Sequence, residues 1–334
     1  MTGIRVQTVR PDDFARVTSV VVVPARNEEN FIAACLSGLF AQSGTAPAGI
    51  VLAVNNTSDD TADVALSLAR RADWPMIVAE ARYARGGVGR ARRLGHAIAL
   101  RAAPRAGILL STDADCLPHP DWQAEMESAL HDAPAVLGRI EVSEQELASF
   151  PSLFLLRQRA ETAFATLAME FEQLMDPVGP GGIGLNTAGG ANLGFQRGAY
   201  LSVGGYRSIP SGEDRDIIQR VRAAGLRPIR AETAVVCASM RTDGRAPGGM
   251  AEQIIARSAM ADCSVDSALL PFDAMVSNHL GRPIATPRLT LSRARTDLPT
   301  LERCVETLRA LPGVDARRRH LAGLLPDDPR KRSD

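Results

Sequence analysis

Two aspartates, Asp113 and Asp115, stand one residue apart directly after the apolar run Ile108-Leu109-Leu110-Ser111-Thr112. Carboxylates at i and i+2 on a turn that closes a buried strand project together. Such hard oxygen donors suit Mg2+ or Mn2+, which then bridge to substrate phosphates. The plain alternative is a pair of solvated turn aspartates. A second acidic group, Ser211-Gly212-Glu213-Asp214-Arg215-Asp216, opens a helical stretch. Acids in a first helical turn complement the helix dipole, so capping alone accounts for them. The functional reading is a general base at the lip of a cleft, taking a proton from an acceptor hydroxyl. Arginines recur in glycine-rich settings, at Gly89-Arg90-Ala91-Arg92-Arg93 and at Arg241-Thr242-Asp243-Gly244-Arg245. Guanidinium forks match phosphate oxygens; for Arg92 a solvated helix face is the expectation instead. The stretch Gly86-Gly87-Val88-Gly89 is not GxGxxG and no Walker lysine follows, which argues against dinucleotide and P-loop readings.

These groups need elements to hold them. Ser19 to Pro24 reads as a buried strand, Asn27 to Gln42 as a helix, Ile50 to Val54 as a second strand. A helix capped by Ser58 runs to about Arg70, followed by strand Met76 to Ala79, helix Gly89 to Ala102 and strand Gly107 to Ser111. Strand–helix alternation with short links predicts a doubly wound, mostly parallel sheet. In such a sheet ligands bind beyond the carboxyl ends of the strands. Pro24-Ala25-Arg26-Asn27-Glu28, Asn55-Asn56-Thr57-Ser58 and Thr112-Asp113-Ala114-Asp115 all follow early strands and so land on one edge. Helix N-termini at the same edge favour anions. Further on, the pattern predicts helix His119 to His131, strand Ala135 to Val142 and a long helical stretch Leu147 to Met175 interrupted at Pro151. A glycine-rich loop, Asp176 to Gly190, comes next, then strand Ala191 to Gln196, helix Asp214 to Ala224 and strand Ala234 to Ala238.

The chain has 334 residues, 38 basic and 38 acidic, so the basic excess of a nucleic-acid binder is missing. Five cysteines without a CxxC pair fit a reducing compartment and no zinc knuckle. No apolar run approaches the roughly 18 residues that span a bilayer. Met1 to Arg16 lacks the pattern of a signal peptide. A cytoplasmic protein with no transmembrane segment is expected.

Six segments, VVVPARNEEN (Val21 to Asn30), VNNTSDDT (Val54 to Thr61), GRARRLG (Gly89 to Gly95), STDADCLPHPDW (Ser111 to Trp122), GGANLGF (Gly189 to Phe195) and GGYRSIPSGEDRDIIQR (Gly204 to Arg220), occur in the order seen in family 2 glycosyltransferases. The chain resembles a GT-A enzyme over about residues 18 to 240. The resemblance implies a metal-dependent, inverting, non-processive transfer from a UDP- or GDP-sugar to a hydroxyl acceptor of unknown identity. It implies that Pro24, Ala25, Arg26, Glu28, Asn55 and Asn56 hold the nucleoside and that Arg93 lines the diphosphate. Asp113, Ala114 and Asp115 would bind donor and metal (Mn2+ or Mg2+), while Gly190, Ala191 and Asn192 line the donor sugar. Glu213 would position the acceptor and Asp214 act as base. Asn55-Asn56 stands where the family usually has an acidic pair, so a carboxylate contact to the base is not carried over. Many relatives add a later metal ligand, often histidine. Here the histidines after Asp214, His279 and His320, are remote in sequence, and Arg241 and Arg245 are candidates to replace part of that charge by gripping the diphosphate.

The domain expectation is a GT-A domain over 1–245, with a nucleotide-sugar half at about 18–115 and an acceptor half at about 116–245. A helical extension at 246–326 and a disordered tail at 327–334 follow. The alternatives are a nucleotidyltransferase or retaining transferase on the same fold, or a non-catalytic nucleotide-sugar-binding module. The segment Arg241 to Gly249 is expected to be a mobile loop over bound diphosphate.

Overall fold

Four consecutive valines, Val20 to Val23, are buried on both faces, as a strand must be when helices cover both sides of a parallel sheet. They form the centre of the sheet in the computed structural model, which describes residues 3–44, 46–84, 87–175, 189–209, 211–241, 262–266 and 269–324. The chain runs β1 (Arg5–Val9), α1 (Pro11–Phe14), β2 (Ser19–Ala25), α2 (Ile32–Phe40), β3 (Gly49–Asn55), α3 (Thr61–Arg71), β4 (Met76–Ala81), α4 (Val88–Ala102) and β5 (Ile108–Thr112). It continues with β6 (Cys116–Pro118), α5 (Trp122–Asp132), β7 (Ala135–Val142), α6 (Glu144–Ala148), α7 (Ser152–Met175), β8 (Asn192–Gln196), α8 (Arg197–Ser202), α9 (Glu213–Ala223) and β9 (Ile229–Ala238). The last described helices are α10 (Phe272–His279), α11 (Leu291–Ala310) and α12 (Gly313–Ala322).

The sheet order is β1-β4-β3-β2-β5-β8-β7-β9-β6. The central strands β4, β3, β2 and β5 are parallel, so their carboxyl ends share one edge. On one side β1 adds antiparallel to β4; on the other β8 adds antiparallel to β5, and β7, β9 and β6 complete the sheet. The expected α/β fold is present, with parallel central strands flanked by helices and a helical C-terminal region, but the mostly parallel sheet expected is a mixed one, because β1, β8 and β6 pair antiparallel.

Some local expectations differ. Helix α2 begins at Ile32, not near Asn27, because Asn27 has a left-handed backbone at φ 54. Helix α3 begins at Thr61, and Ser58 does not cap it. Asp59 Oδ1 accepts from the backbone N–H and the hydroxyl of Thr61 at 3.2 and 2.5 Å, and Ser58 N–H donates to Asn27 Oδ1 at 2.8 Å. The edge strands β1 and β6 had no counterpart in the hydrophobic pattern.

Contacts divide the chain into two units, Met1–Ser149 with Ala188–Ile254, and Phe150–Thr187 with Ile255–Asp334. The first holds the whole sheet. The second packs α7 with α10, α11 and α12 around Phe164, Phe171, Met175, Val276, Leu301, Val305 and Leu308. Helix α7 thus joins the C-terminal helices, where a linear boundary at 245 had kept it in the acceptor half. The tail at 327–334 lies outside the described residues.

Candidate active site

The carboxyl ends of β2, β3 and β5 carry residues 25–28, 55–56 and 112–115 on one edge, as the alternation predicted. The turn after β5 closes when Cys116 N–H donates to the Asp113 carbonyl at 3.1 Å. Ala114, between the two aspartates, is buried in the core and anchors the turn.

Arg92 is the residue that organises this edge, and the expectation of a solvated helix face for it is wrong. It is 1% exposed. Its helix, α4, presents the small residues Gly89, Ala91, Gly95 and Ala99 inward. A Cβ on Gly95 would stand 2.4 Å from Val22 Cγ1, so only glycine lets the helix lie this close to the sheet. Arg92, one turn before Gly95, is therefore carried over the sheet edge. Its Nη2 meets Asp113 Oδ1 at 2.5 Å, its Nε meets Glu213 Oε1 at 3.1 Å, and its Nη1 donates to Ser111 Oγ. Burial alone would lower the Arg92 pKa; the carboxylates of Asp113, Glu213 and Asp214 around it push it up, so the group stays charged. Arg93, expected at the diphosphate, is exposed and donates to the Tyr206 carbonyl at 2.7 Å.

The same bridge brings the second acidic group to the edge. Helix α9 starts after Gly212, which has φ 77. Glu213 is buried, and burial raises its pKa against the pull of Arg92. Asp214 Oδ2 accepts from Gly190 N–H at 2.9 Å. A Cβ on Gly190 would stand 2.5 Å from Arg92 Nη2, so glycine is required where the chain passes the guanidinium. Ala191 is buried beside it. Asn192 does not line the cleft as expected: it is 1% exposed, and its carboxamide is spent inside the sheet. Its Nδ2 donates to the carbonyls of Arg139 and Ala234 at 2.8 Å each, and its Oδ1 accepts from Trp122 Nε1 at 2.8 Å.

On the other flank Arg241 forms a bidentate pair with Glu28, both bonds 2.6 Å, and its Nη2 is 3.0 Å from Asp115 Oδ2. Its guanidinium lies 4.7 Å from the Phe31 ring centre. Burial, with Asp113 nearby, pushes the Asp115 carboxyl up to about 6, partly countered by Arg241. Pro24 and Ala25 are buried in β2, while Arg26 is exposed. Asn55 is buried, its Nδ2 3.3 Å from the Gly87 carbonyl and its Oδ1 without a hydrogen-bond partner. Asn56 is fastened to Tyr83, accepting from its N–H at 2.7 Å and donating to its carbonyl at 3.0 Å. An open cleft of about 380 Å³ is lined there by Asn56, Thr57, Ser58, Arg82, Tyr83 and Ala84. Arg245 and the rest of the expected loop after Arg241 lie outside the described residues.

Asp113 and Asp115 are the hard oxygen donors that suit Mg2+ or Mn2+. Among the described residues no group of three His, Cys, Asp or Glu side chains converges on a cation position. By their chemistry two carboxylates fit an ion that takes the rest of its shell from phosphate and water oxygens. Five carboxylates, Glu28, Asp113, Asp115, Glu213 and Asp214, meet here, with Arg92 and Arg241 as the cations seen bonded among them.

A GT-A type nucleotide-binding sheet with an acidic turn at its ligand edge defines a class of transferase. The sequence profile described as Glycosyl transferase family 2 matches residues 20–185, and over that segment the chain belongs to this family. It is a glycosyltransferase. No curated protein sequence matches the chain. Among solved structures, the mannosyltransferase PcManGT from Pyrobaculum calidifontis in complex with GDP-Man and Mn2+ is similar at 18% identity and TM-score 0.51, over 92% of this chain and 80% of that one. S. aureus TarS 1-349 in complex with UDP-GlcNAc is similar at 14% identity and TM-score 0.50, over 92% of this chain and 91% of that one. At these identities the likeness is one of fold. Among the described residues no helix is long and apolar enough to cross a membrane.

Proposed function

We propose that this chain transfers a sugar from a nucleoside-diphosphate sugar to an acceptor hydroxyl with inversion at the anomeric carbon, releasing its product after each transfer. The observation that carries this reading is the bridge Asp113–Arg92–Glu213. It ties the acidic turn to the start of α9, so that Asp214 and Asp115 stand on one sheet edge. The complexes of PcManGT with GDP-Man and Mn2+, and of TarS with UDP-GlcNAc, support a nucleotide-sugar donor, UDP- or GDP-linked.

In this reading the diphosphate lies across the carboxyl ends of β2 and β5. Asp113 and Asp115 would hold a divalent cation, which supplies neutralisation of the charge that develops on the leaving diphosphate. Asp214 takes the proton of the acceptor hydroxyl as its oxygen attacks the anomeric carbon from the face opposite the leaving group. The carbon–oxygen bond to the diphosphate breaks and its electron pair leaves with the nucleotide. Gly190 N–H holds the Asp214 carboxylate in place, and Glu213, fixed by Arg92, positions the acceptor side.

A panel of UDP- and GDP-sugars, screened for protection against thermal unfolding, identifies the donor. Asp214→Asn then tests the base. Asparagine keeps the bond to Gly190 N–H but not the basicity, so donor binding survives while turnover falls about 10²- to 10⁴-fold. If Asp214 only supports its helix, asparagine serves nearly as well, and near-wild-type turnover with the true acceptor rejects the base. NMR of the product anomer tests inversion.

A further inference from the structure

Arg241 is paired with Asp115, one of the two carboxylates that would hold the cation. Its Nη1 and Nη2 are both spent on Glu28 at 2.6 Å, and the same Nη2 reaches Asp115 Oδ2 at 3.0 Å. The side chain is largely buried, packed over Phe31. Glu28 is itself buried and its backbone N–H is bonded to Thr61 Oγ1 at 2.8 Å, so the anchor that holds the guanidinium is rigid. A guanidinium and a divalent cation on the same carboxylate oxygen repel each other strongly at this depth, where solvent screens little. They exclude one another.

We propose that Arg241 is the resident counter-cation of Asp115 and competes with the divalent metal for it, so that metal enters only together with a nucleoside diphosphate. The phosphate oxygens offer the fork a second bidentate partner of the kind it already has in Glu28. When the diphosphate draws Nη2 away, the Asp115 oxygen becomes available. Asp113 alone does not replace it, because its Oδ1 is already engaged by Arg92 at 2.5 Å and only its other oxygen is left for a cation. This rests on the reading above, in which Asp115 binds the metal that the diphosphate shares, and it assigns to Arg241 an order of binding that this reading does not contain.

The test is direct metal binding, measured on the full chain by the loss of the free Mn2+ electron paramagnetic resonance signal, without donor and without turnover. Wild type binds Mn2+ weakly alone and at least about tenfold more tightly with saturating UDP or GDP. Arg241→Gln, whose neutral amide does not compete as a cation, binds Mn2+ alone at least about tenfold more tightly than wild type and gains little from the nucleotide. In metal-free buffer the same variant binds UDP and GDP more weakly. Arg241→Lys keeps the charge without the fork; its Mn2+ affinity lies between the two, and it serves if Arg241→Gln does not fold. Mn2+ affinity in the variants equal to or below that of wild type overturns the competition. Asp115→Asn separates the two layers. If it leaves nucleotide-dependent Mn2+ binding intact, the metal assignment itself fails; if it abolishes that binding while the Arg241 variants match wild type, only the counter-cation role fails.

Discussion

Replacing Arg92 with methionine leaves Asp113 and Glu213 without the guanidinium that lies between them. Glu213 is 3% exposed, so its charge has no water to fall back on. Removing one partner of a buried ion pair typically costs about 3 to 5 kcal/mol. We expect Arg92→Met to lose stability on that scale in urea unfolding. Arg92→Lys keeps the charge but not the three-way fork and should lose less; a methionine variant within about 0.5 kcal/mol of wild type would contradict the bridging role. The acidic turn at Asp113 and Asp115 was readable from the sequence, because a β-branched and leucine-rich run followed by polar residues marks a strand end. Arg92 was not readable. Its neighbour Arg93 has the same chemistry, and which of the two faces inward depends on Gly95 packing against Val22, a contact between distant parts of the chain. Asn192 misled for a related reason: a polar residue beside a glycine pair reads as a ligand contact until its three internal hydrogen bonds are seen.

Elements were legible where their periodicity was strong. The range expected for β7 is the one observed, and α4 starts within one residue of its expected position. The short edge strands β1 and β6 were not legible, since strands of five and three residues leave little period to count and are defined by their pairing with β4 and β9. On the far side of the sheet one side chain ties several elements together, because Asn192 joins β8 to β7, to β9 and, through Trp122, to α5. Asn192→Ala strands Trp122 Nε1 in the core, together with whichever of the Arg139 and Ala234 carbonyls finds no other donor. Each unsatisfied buried group costs about 1 to 3 kcal/mol, so a loss of roughly 3 kcal/mol or more is expected by denaturant midpoint at unchanged m-value. A loss below about 1 kcal/mol would show that water or a neighbour replaces the carboxamide.

For the molecule as a whole, pH couples to folding through a group that no function claims. Each compact unit is assembled from two separated stretches of chain, an arrangement that composition and periodicity do not announce. Within the first unit His96 is fully buried on α4, stacked on Tyr200 at 4.8 Å, with Nδ1 2.8 Å from the Arg92 carbonyl and Nε2 without a partner. Burial pushes its pKa down to about 3, and the nearby Arg92 charge adds to the shift. An unfolded histidine titrates near 6.5. Between these values the unfolded chain binds a proton that the folded chain refuses, so the stabilising contribution is complete above about 6.5 and is lost as pH falls towards 3. The slope is about 1.4 kcal/mol per pH unit, which makes the loss roughly 2 kcal/mol between pH 7 and pH 5. Asp115 acts in the opposite sense: with its carboxyl raised to about 6 from 3.8, the folded state takes up protons first and gains stability as pH falls through that window. The two contributions overlap in the wild-type curve, so that curve alone does not isolate either. His96→Phe keeps a ring against Tyr200, removes the titrating group and leaves Asp115 in place. The stability difference between wild type and variant, taken from urea unfolding at pH 7, 6 and 5, should shift by about 2 kcal/mol in favour of the variant over that range. Parallel curves would mean that His96 takes up its proton in the folded state as readily as in the unfolded one, and the buried neutral imidazole would have to be abandoned.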